Sequence, residues 1–413
     1  MNLPQLTARI GQLAKEQMHL TSDLAVLVKT VNLKDEDKPY RVFLTFDLEQ
    51  EEIRFDEPFP YQSGDEYQYH YFGNNSAAGM QYYLTRDGKS LHYLLKSALS
   101  DLYLVLEKHQ MQQGELHTIL SELAAKKLIF LGAYKGKGSV NLSKMAHVSN
   151  LKIDEKNNFI VDGVSRKAED FLRYINGYQD RNIVFPLIIP RVVSSSFSNP
   201  VILSQHADYV AVAKSEQNLI VSAQKGKAKY CFVCQELRPD VSSKLTADFS
   251  GSGINKIFVT TTFNYACRLN KQNYDHSYAI CTDCYQNLLF GEKKVAENFS
   301  FRIAGERAFI LPEGLISNFD YNDLELQKNR TKDLIEKGVI DDLGQQIDVA
   351  AEDLNHPDQY VVHFFVYRTD GNSVTVLETL EDVPVLHIRH IAEILGKWAA
   401  KMHPHIGLMS ISS

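Results

Sequence analysis

The sequence predicts an α+β protein of mixed helices and antiparallel strands, into which a four-cysteine zinc-binding subdomain is inserted. Three observations predict it. Some stretches hold apolar residues at helical spacing, others alternate apolar and polar residues as strands do, and all five cysteines crowd into one window of about 54 residues. At 413 residues the chain is too long for one ordinary domain. Its composition places boundaries at 1–229 for an amino-terminal α+β region and 230–300 for the cysteine-bearing insertion. The rest of the α+β core follows at 301–413.

The elements follow in order. The first thirty residues read as helical, with Leu6, Ile10 and Leu13 on one face and Leu20, Leu24, Leu27 and Val31 continuing the spacing. Alternation from Tyr40 to Phe55 suits an antiparallel pair of strands. Tyr61 to Thr85, rich in aromatics, Gly and Asn, reads as irregular strand and loop. Two helices come next. Leu91, Leu95, Ala98, Leu102 and Val105 form one apolar seam, and Leu116, Ile119, Leu120 and Leu123 form another after a break at Gly114. Lys135-Gly-Lys137-Gly138 and Ser194 to Pro200 are expected as exposed loops, and the chain beyond Pro200 as β-like. Past the cysteines, Phe299 to Leu311 reads as strand and Tyr321 to Lys337 as a charged amphipathic helix. Tyr360 to Leu377 is a hairpin turning at Asp370-Gly-Asn372. A helix from about Val385 to Met402 closes the chain.

Charge and hydropathy bound the function. Lys plus Arg total 44 against 51 Asp plus Glu, a net charge of −7, which excludes a basic protein held to nucleic acid by bulk charge but leaves room for a local basic groove. The amino terminus lacks the apolar core of a secretory signal. The longest apolar run, Ile183 to Pro190, is about half of a membrane span. A soluble, cytoplasmic protein is expected.

The cysteines carry the sharpest chemistry. Cys231-Phe-Val-Cys234 and Cys281-Thr-Asp-Cys284 are two CxxC pairs separated by 46 residues. Two intervening residues let both sulfurs of a knuckle face one ion, and a tetrahedral zinc takes four thiolates at about 2.3 Å. The separation exceeds that of a compact ribbon, so the intervening segment must form its own excursion, expected as strands around Ile257 to Thr262. With four thiolates no position is left for an activated water, so the metal would be structural, adding roughly 10 kcal/mol or more. A redox pair and unliganded thiols are the alternatives, and each CxxC alone would serve the first. Cys267 reads as a spare buried residue, and His276 as a possible replacement ligand.

Weaker signals surround this one. Gly251-Ser-Gly-Ile-Asn-Lys256 superficially suggests a phosphate loop but matches neither the Walker pattern nor a dinucleotide fingerprint, so a flexible turn is expected. His387 and His390, one turn apart, with His403 and His405, read as surface residues rather than a second metal site. No nucleophile motif stands out, and catalysis is not expected. Lys135, Lys137 and Lys144, and Lys225, Lys227 and Lys229, are candidate phosphate contacts, because small residues between lysines let the backbone approach a phosphate. A solvated surface is the alternative for both stretches.

The order of these parts resembles the zinc-binding region of the large subunit of type I-B CRISPR Cascade complexes. The resemblance runs through Cys231 and Cys234, the threonines Thr260 to Thr262, and Cys281 and Cys284. It continues through a Leu-rich turn with its Gly (Leu288 to Gly291), Leu311-Pro312, and the Asp382-Val-Pro384 element before a helix. It covers roughly residues 225 to 395, and Val385 stands where the family usually has a second Pro. The family generally continues into a carboxy-terminal helical bundle. For this chain the resemblance leads one to expect either a separately encoded bundle or a shortened system, of which transposon-associated Cascades are one kind. The resemblance implies a structural zinc and a DNA-recognition role: the guide RNA reads the target by pairing, while this subunit inspects the flanking motif (the PAM) and assists strand separation. Implied partners are guide RNA, target DNA, Cascade backbone and small subunits, and a helicase-nuclease or transposition-targeting protein, in antiviral defence or transposon targeting. The competing readings are an unrelated zinc-knuckle scaffold of another nucleic-acid-processing assembly, and a thiol-dependent enzyme.

Overall fold

A computed structural model describes residues 1–20, 23–75, 79–132, 139–217, 219, 228–243, 245, 249, 253–258, 278–303, 305–314, 319–337, 360–369, 374–388, 390, 391, 394, 398 and 401. It contains both helices and antiparallel strands, as an α+β chain should. The chain packs as two units, one of residues 1–21 with 221–413 and one of residues 22–220. The first helix, α1 (Leu3–Gln17), therefore belongs with the far end of the chain. Asn2 caps it in a reciprocal capping box with Gln5. It stops short of the thirty helical residues expected: His19 takes a left-handed backbone, φ 51°, and the amide of Leu20 turns back onto the carbonyl of Lys15. Asp23–Leu27 is then only a 3₁₀ turn.

The unit of residues 22–220 is built on one mixed sheet. Strands β1 (Lys38–Asp47) and β2 (Glu52–Phe55) form the antiparallel pair that alternation predicts, and β3 (Phe59–Pro60) extends it. Helices α2 (Leu99–Lys108), entered through a π turn at Leu94–Ala98, and α3 (Glu115–Ala125) bury the two leucine seams. Gly114 is required at the break, because a Cβ there would lie 2.6 Å from the Asp208 carboxylate that accepts the amide of Leu116. Helix α4 (Ala168–Ile175) precedes β4 (Ile183–Val193), the apolar run, which pairs in parallel with β1, Val42 opposite Ile188 and Phe46 opposite Val192. Buried on nearly every residue, β4 needs no polar alternation. Among the described residues the sheet order is β5 (Val201–Ile202), β4, β1, β2. The β-like segment expected after Pro200 is strand only at β5 and then becomes helix α5 (Ala207–Glu216), started by the His206 ring accepting the amide of Asp208.

The other unit carries the cysteines. A short hairpin, β6 (Lys229–Tyr230) with β7 (Leu237–Arg238), encloses the first pair. Helix α6 (Thr282–Asn298) begins at the second. The Leu288–Gly291 stretch is thus helix, not a turn. Its glycine has a packing role: α1 crosses α6 so closely that a Cβ on Gly291 would sit 2.0 Å from the Thr7 carbonyl, and one on Gly11 would sit 2.0 Å from that of Asn287. Beyond α6, β8 (Ser300–Ile303) and β9 (Glu306–Gly314) split the single strand expected at Phe299–Leu311 into a hairpin about Gly305, φ 81°. Helix α7 (Tyr321–Lys337) lies where its charge pattern put it. Strands β10 (Tyr360–Thr369) and β11 (Val374–Pro384) complete an antiparallel sheet of order β8-β9-β10-β11, and the turn at Asp370–Asn372 lies outside the described residues. Helical residues follow from Val385. Ile310, Tyr360, Val362, Phe364, Val385 and Ile388 form one core cluster of this unit. Among the described residues no helix is long and apolar enough to cross a membrane.

Candidate metal centre

The two CxxC pairs, 46 residues apart in sequence, meet. The sulfurs of Cys231, Cys234, Cys281 and Cys284 all lie within 4.8 Å of one another, and Cys234 and Cys281 are 4.0 Å apart. Four thiolates around one zinc at about 2.3 Å define a tetrahedron whose edge is about 3.8 Å. The free thiols already stand close to that spacing.

Backbone geometry explains how. In the first knuckle Gln235 takes φ 62°, which folds the chain back so that the amide of Cys231 bonds Glu236 and that of Gln235 bonds the Cys231 carbonyl. Cys281 is the N-cap of α6, extended at ψ 165°, and Cys284 sits in the first turn with its sulfur on the same side. Main-chain bonds tie the knuckles together: Phe232 donates to Ala279, and Ser242 and Ile280 exchange both their amides. Side chains repeat the link. Arg238 pairs with Asp283 at 2.7 Å and Asp240 at 3.3 Å, and Asp240 accepts the amide of Thr282. Gln5 of α1 donates to the Val233 carbonyl. Sequence reasoning did not single out Arg238, Asp240 or Asp283. The acid inside the second CxxC was the available signal.

The donor set fits a cation. Cys231, Cys281 and Cys284 are buried and Cys234 faces solvent. In their thiol forms they can only share protons. Donation from Cys281 and Cys284 holds the Cys231 sulfur well below the ordinary thiol range, where it also accepts the Cys281 amide at 3.4 Å. Donating that hydrogen bond, with burial and the charge on Cys231 adding to it, pushes Cys281 up to about 12 and Cys284 higher still. One thiolate is stabilised and the next are repelled. A divalent cation is the group that lets all four ionise together. Burial of three sulfurs against hydrogen-bonded backbone also differs from the exposed, singly paired thiol of a redox motif.

The other candidates divide. Cys267, His276, Lys135, Lys137, Lys225, Lys227 and Thr260–Thr262 lie outside the described residues, as do His403 and His405. Lys144 points at Glu51, 3.4 Å away, and Lys229 is half-buried on β6. His387 and His390 are exposed. The Gly251–Lys256 stretch, where described, is a 3₁₀ turn (Ile254–Phe258), so strand is not found at Ile257 and Phe258. Two of its described amides are already taken, that of Lys256 by the Gly253 carbonyl at 3.1 Å. The half-buried Glu292 carboxylate accepts the amide of Asn255 at 2.9 Å, and a Cβ on Gly253 would lie 2.1 Å from that same carboxylate. Burial pushes Glu292 up to about 7.

A second ligand-type group exists. Glu313 on β9, His363 on β10 and Asp382 on β11 bring their ligand atoms within 4.8 Å of one another. Asp382, φ 54°, is the extra residue of a bulge that shifts register between Val362 and Phe364.

Residues 228–383, which include all four cysteines, match the family described as CRISPR-associated protein TM1802 (cas_TM1802) central domain. The match supports a CRISPR-associated protein. No curated protein matches the chain.

Proposed function

We propose that the chain is the DNA-recognition large subunit of a type I-B-like CRISPR Cascade complex. One observation carries the reading: the family match spans 228–383, and inside it the two distant CxxC pairs converge on one four-sulfur centre. In this reading the centre holds a structural zinc that pins the excursion between the knuckles. The protein works in the cytoplasm by recognition, not catalysis. Guide RNA supplies sequence by pairing, and this subunit reads the flanking motif in duplex DNA and helps part the strands. Backbone and small subunits and a helicase-nuclease or transposition-targeting protein are its partners. A net charge of −7 suits a subunit that presents one positive path while others hold most of the RNA.

Co-purification tests the reading. The tagged chain should bring down a guide RNA and several copies of a backbone subunit, and the assembly should shift duplex DNA only when the flanking motif is present. A chain that assembles without RNA, on another set of proteins, would instead be a scaffold of a different machine. Within the complex, replacing Lys225, Lys227 and Lys229 by Gln should weaken DNA binding and flatten its salt dependence, by about 0.9 in log–log slope for each phosphate no longer neutralised. An unchanged slope removes that stretch from the interface.

A further inference from the structure

Arg302 and Arg307 stand directly opposite each other in the β8–β9 hairpin, brought there by the tight turn at Gly305. Side chains so placed have Cβ atoms about 5 Å apart, and like charges in that position repel. Both residues are exposed, and among the described residues neither guanidinium has an ion-pair partner. Arg302 reaches only the Gly305 carbonyl, at 3.5 Å. The adjacent acid, Glu306, does not serve them, because strand alternation puts it on the opposite face, where Arg368 holds it. The register carries the row on to Tyr367 of β10, opposite Arg307. The Tyr367 ring stacks on Phe309, centroids 4.8 Å apart, and the Arg307 charge opposes the rise in pKa that burial gives its phenol. Two cations without a counter-charge and a phenol thus share one face of three neighbouring strands. On that face the next acid of β9 is Glu313, six residues or about 20 Å along.

We propose that Arg302 and Arg307 form a clamp for one phosphate of a nucleic-acid backbone, with Tyr367 beside it. An anion between the two guanidiniums turns their repulsion into two charge-assisted contacts. Their planar forks match phosphate oxygens in pairs, as two lysines would not. That the phosphate belongs to nucleic acid rests on the function proposed above, and the hairpin lies inside the family match at 228–383. A phosphate contact positions a strand without reading its sequence, so the clamp is indifferent to base identity.

The test measures binding of a short fluorescein-labelled single strand of mixed sequence, made as DNA and as RNA, to the full chain over a range of salt. Arg302→Gln combined with Arg307→Gln should weaken binding about 10-fold at low salt. It should also lower the log–log salt slope by about 0.7, the share of one phosphate on a single strand. An unchanged slope overturns the clamp. So does a fall of about 1.4, which would mean two separate phosphates. Either single variant should keep a nearly parental slope, because the remaining cation still neutralises the same phosphate. DNA and RNA should lose equally, and a loss confined to one of them counts against a backbone contact. Relieving the repulsion should leave the thermal midpoint at or above the parental value. Where the midpoint falls, Arg302→Lys with Arg307→Lys decides: both charges stay and the forks go, so the slope should hold while affinity drops, and parental affinity overturns the clamp. A parent chain that binds neither strand overturns the clamp alone, whereas the wider reading fails only if no guide RNA co-purifies.

Discussion

Two clusters of metal-ligand side chains lie in the same unit, and they differ in a way that geometry alone does not show. In both, the ligand atoms fall within 4.8 Å of one another. In the Glu313–His363–Asp382 group, His363 and Glu313 already have partners. The amide of Asp382 donates to His363 Nδ1, which places the ring proton on Nε2, and that proton is donated to Glu313 at 3.1 Å. The α-amino group of Met1 also lies 2.8 Å from Glu313. Asp382 itself is exposed, so water can serve its carboxylate. The four cysteines offer four groups of one kind, and among the three buried ones a charge on Cys231 opposes ionising Cys281 and Cys284. Convergence of ligands therefore says little by itself. Whether the groups can satisfy one another separates a hydrogen-bonded cluster from a centre that needs a cation.

Substitution should separate the two clusters most strongly. Cys231→Ala or Cys284→Ala should lower soluble yield and cut stability by several kcal/mol, on the order of 5, as loss of a structural metal does. Thermal unfolding with and without chelator reads this directly: the parent should be chelator-sensitive and the variants insensitive. Equal stability with lost DNA affinity would mean that the knuckles serve binding and not folding. His363→Leu should cost less, about 2 kcal/mol, because it leaves Glu313 without its ring donor. Its unfolding should shift equally with and without chelator. A chelator-dependent shift would make the second cluster a metal site after all.

The pH dependence divides the site further, because two slopes of opposite sign are expected. Acid displaces a cation from thiolates, so that contribution fades as pH falls. Glu292 does the reverse. Its folded pKa, raised to about 7, exceeds its ordinary value of 4.5, so between these values the folded chain binds more protons. Stability from this group is complete below about 4.5 and falls as pH rises through about 7, by on the order of 2 kcal/mol. Glu292→Gln, measured by denaturant unfolding at pH 5 and pH 8, should remove that fall. An unaltered slope would mean that the carboxyl is not buried as described. Arg238→Ala should have the smallest effect, about 0.5–1 kcal/mol, since its ion pairs are partly exposed. A loss as large as that of a cysteine variant would make the arginine, not a metal, the clamp.

Much of this was legible wherever the determinants are local. The strand pair at Tyr40–Phe55, the leucine seams and the helix at Tyr321–Lys337 are set by periodicity within one element. The four sulfurs were legible because CxxC spacing fixes how a knuckle must turn. What escaped was non-local or context-bound. Helix α5 looks like strand because Tyr209, Val210 and Val212 favour strands, yet its cap at His206 and packing against the unit decide otherwise. The partnership of α1 with α6 depends on Gly11 meeting Gly291, a contact that neither helix reveals alone. The apparent phosphate loop is capped by Glu292, 36 residues beyond Lys256, whose carboxylate takes the amide of Asn255.

Metal content of the natively purified chain bears most directly on all of this. The account predicts one zinc per chain, with Cys231, Cys234, Cys281 and Cys284 resisting alkylation until a chelator removes it. A metal-free chain whose four thiols label at once, with its melting temperature intact, would contradict it.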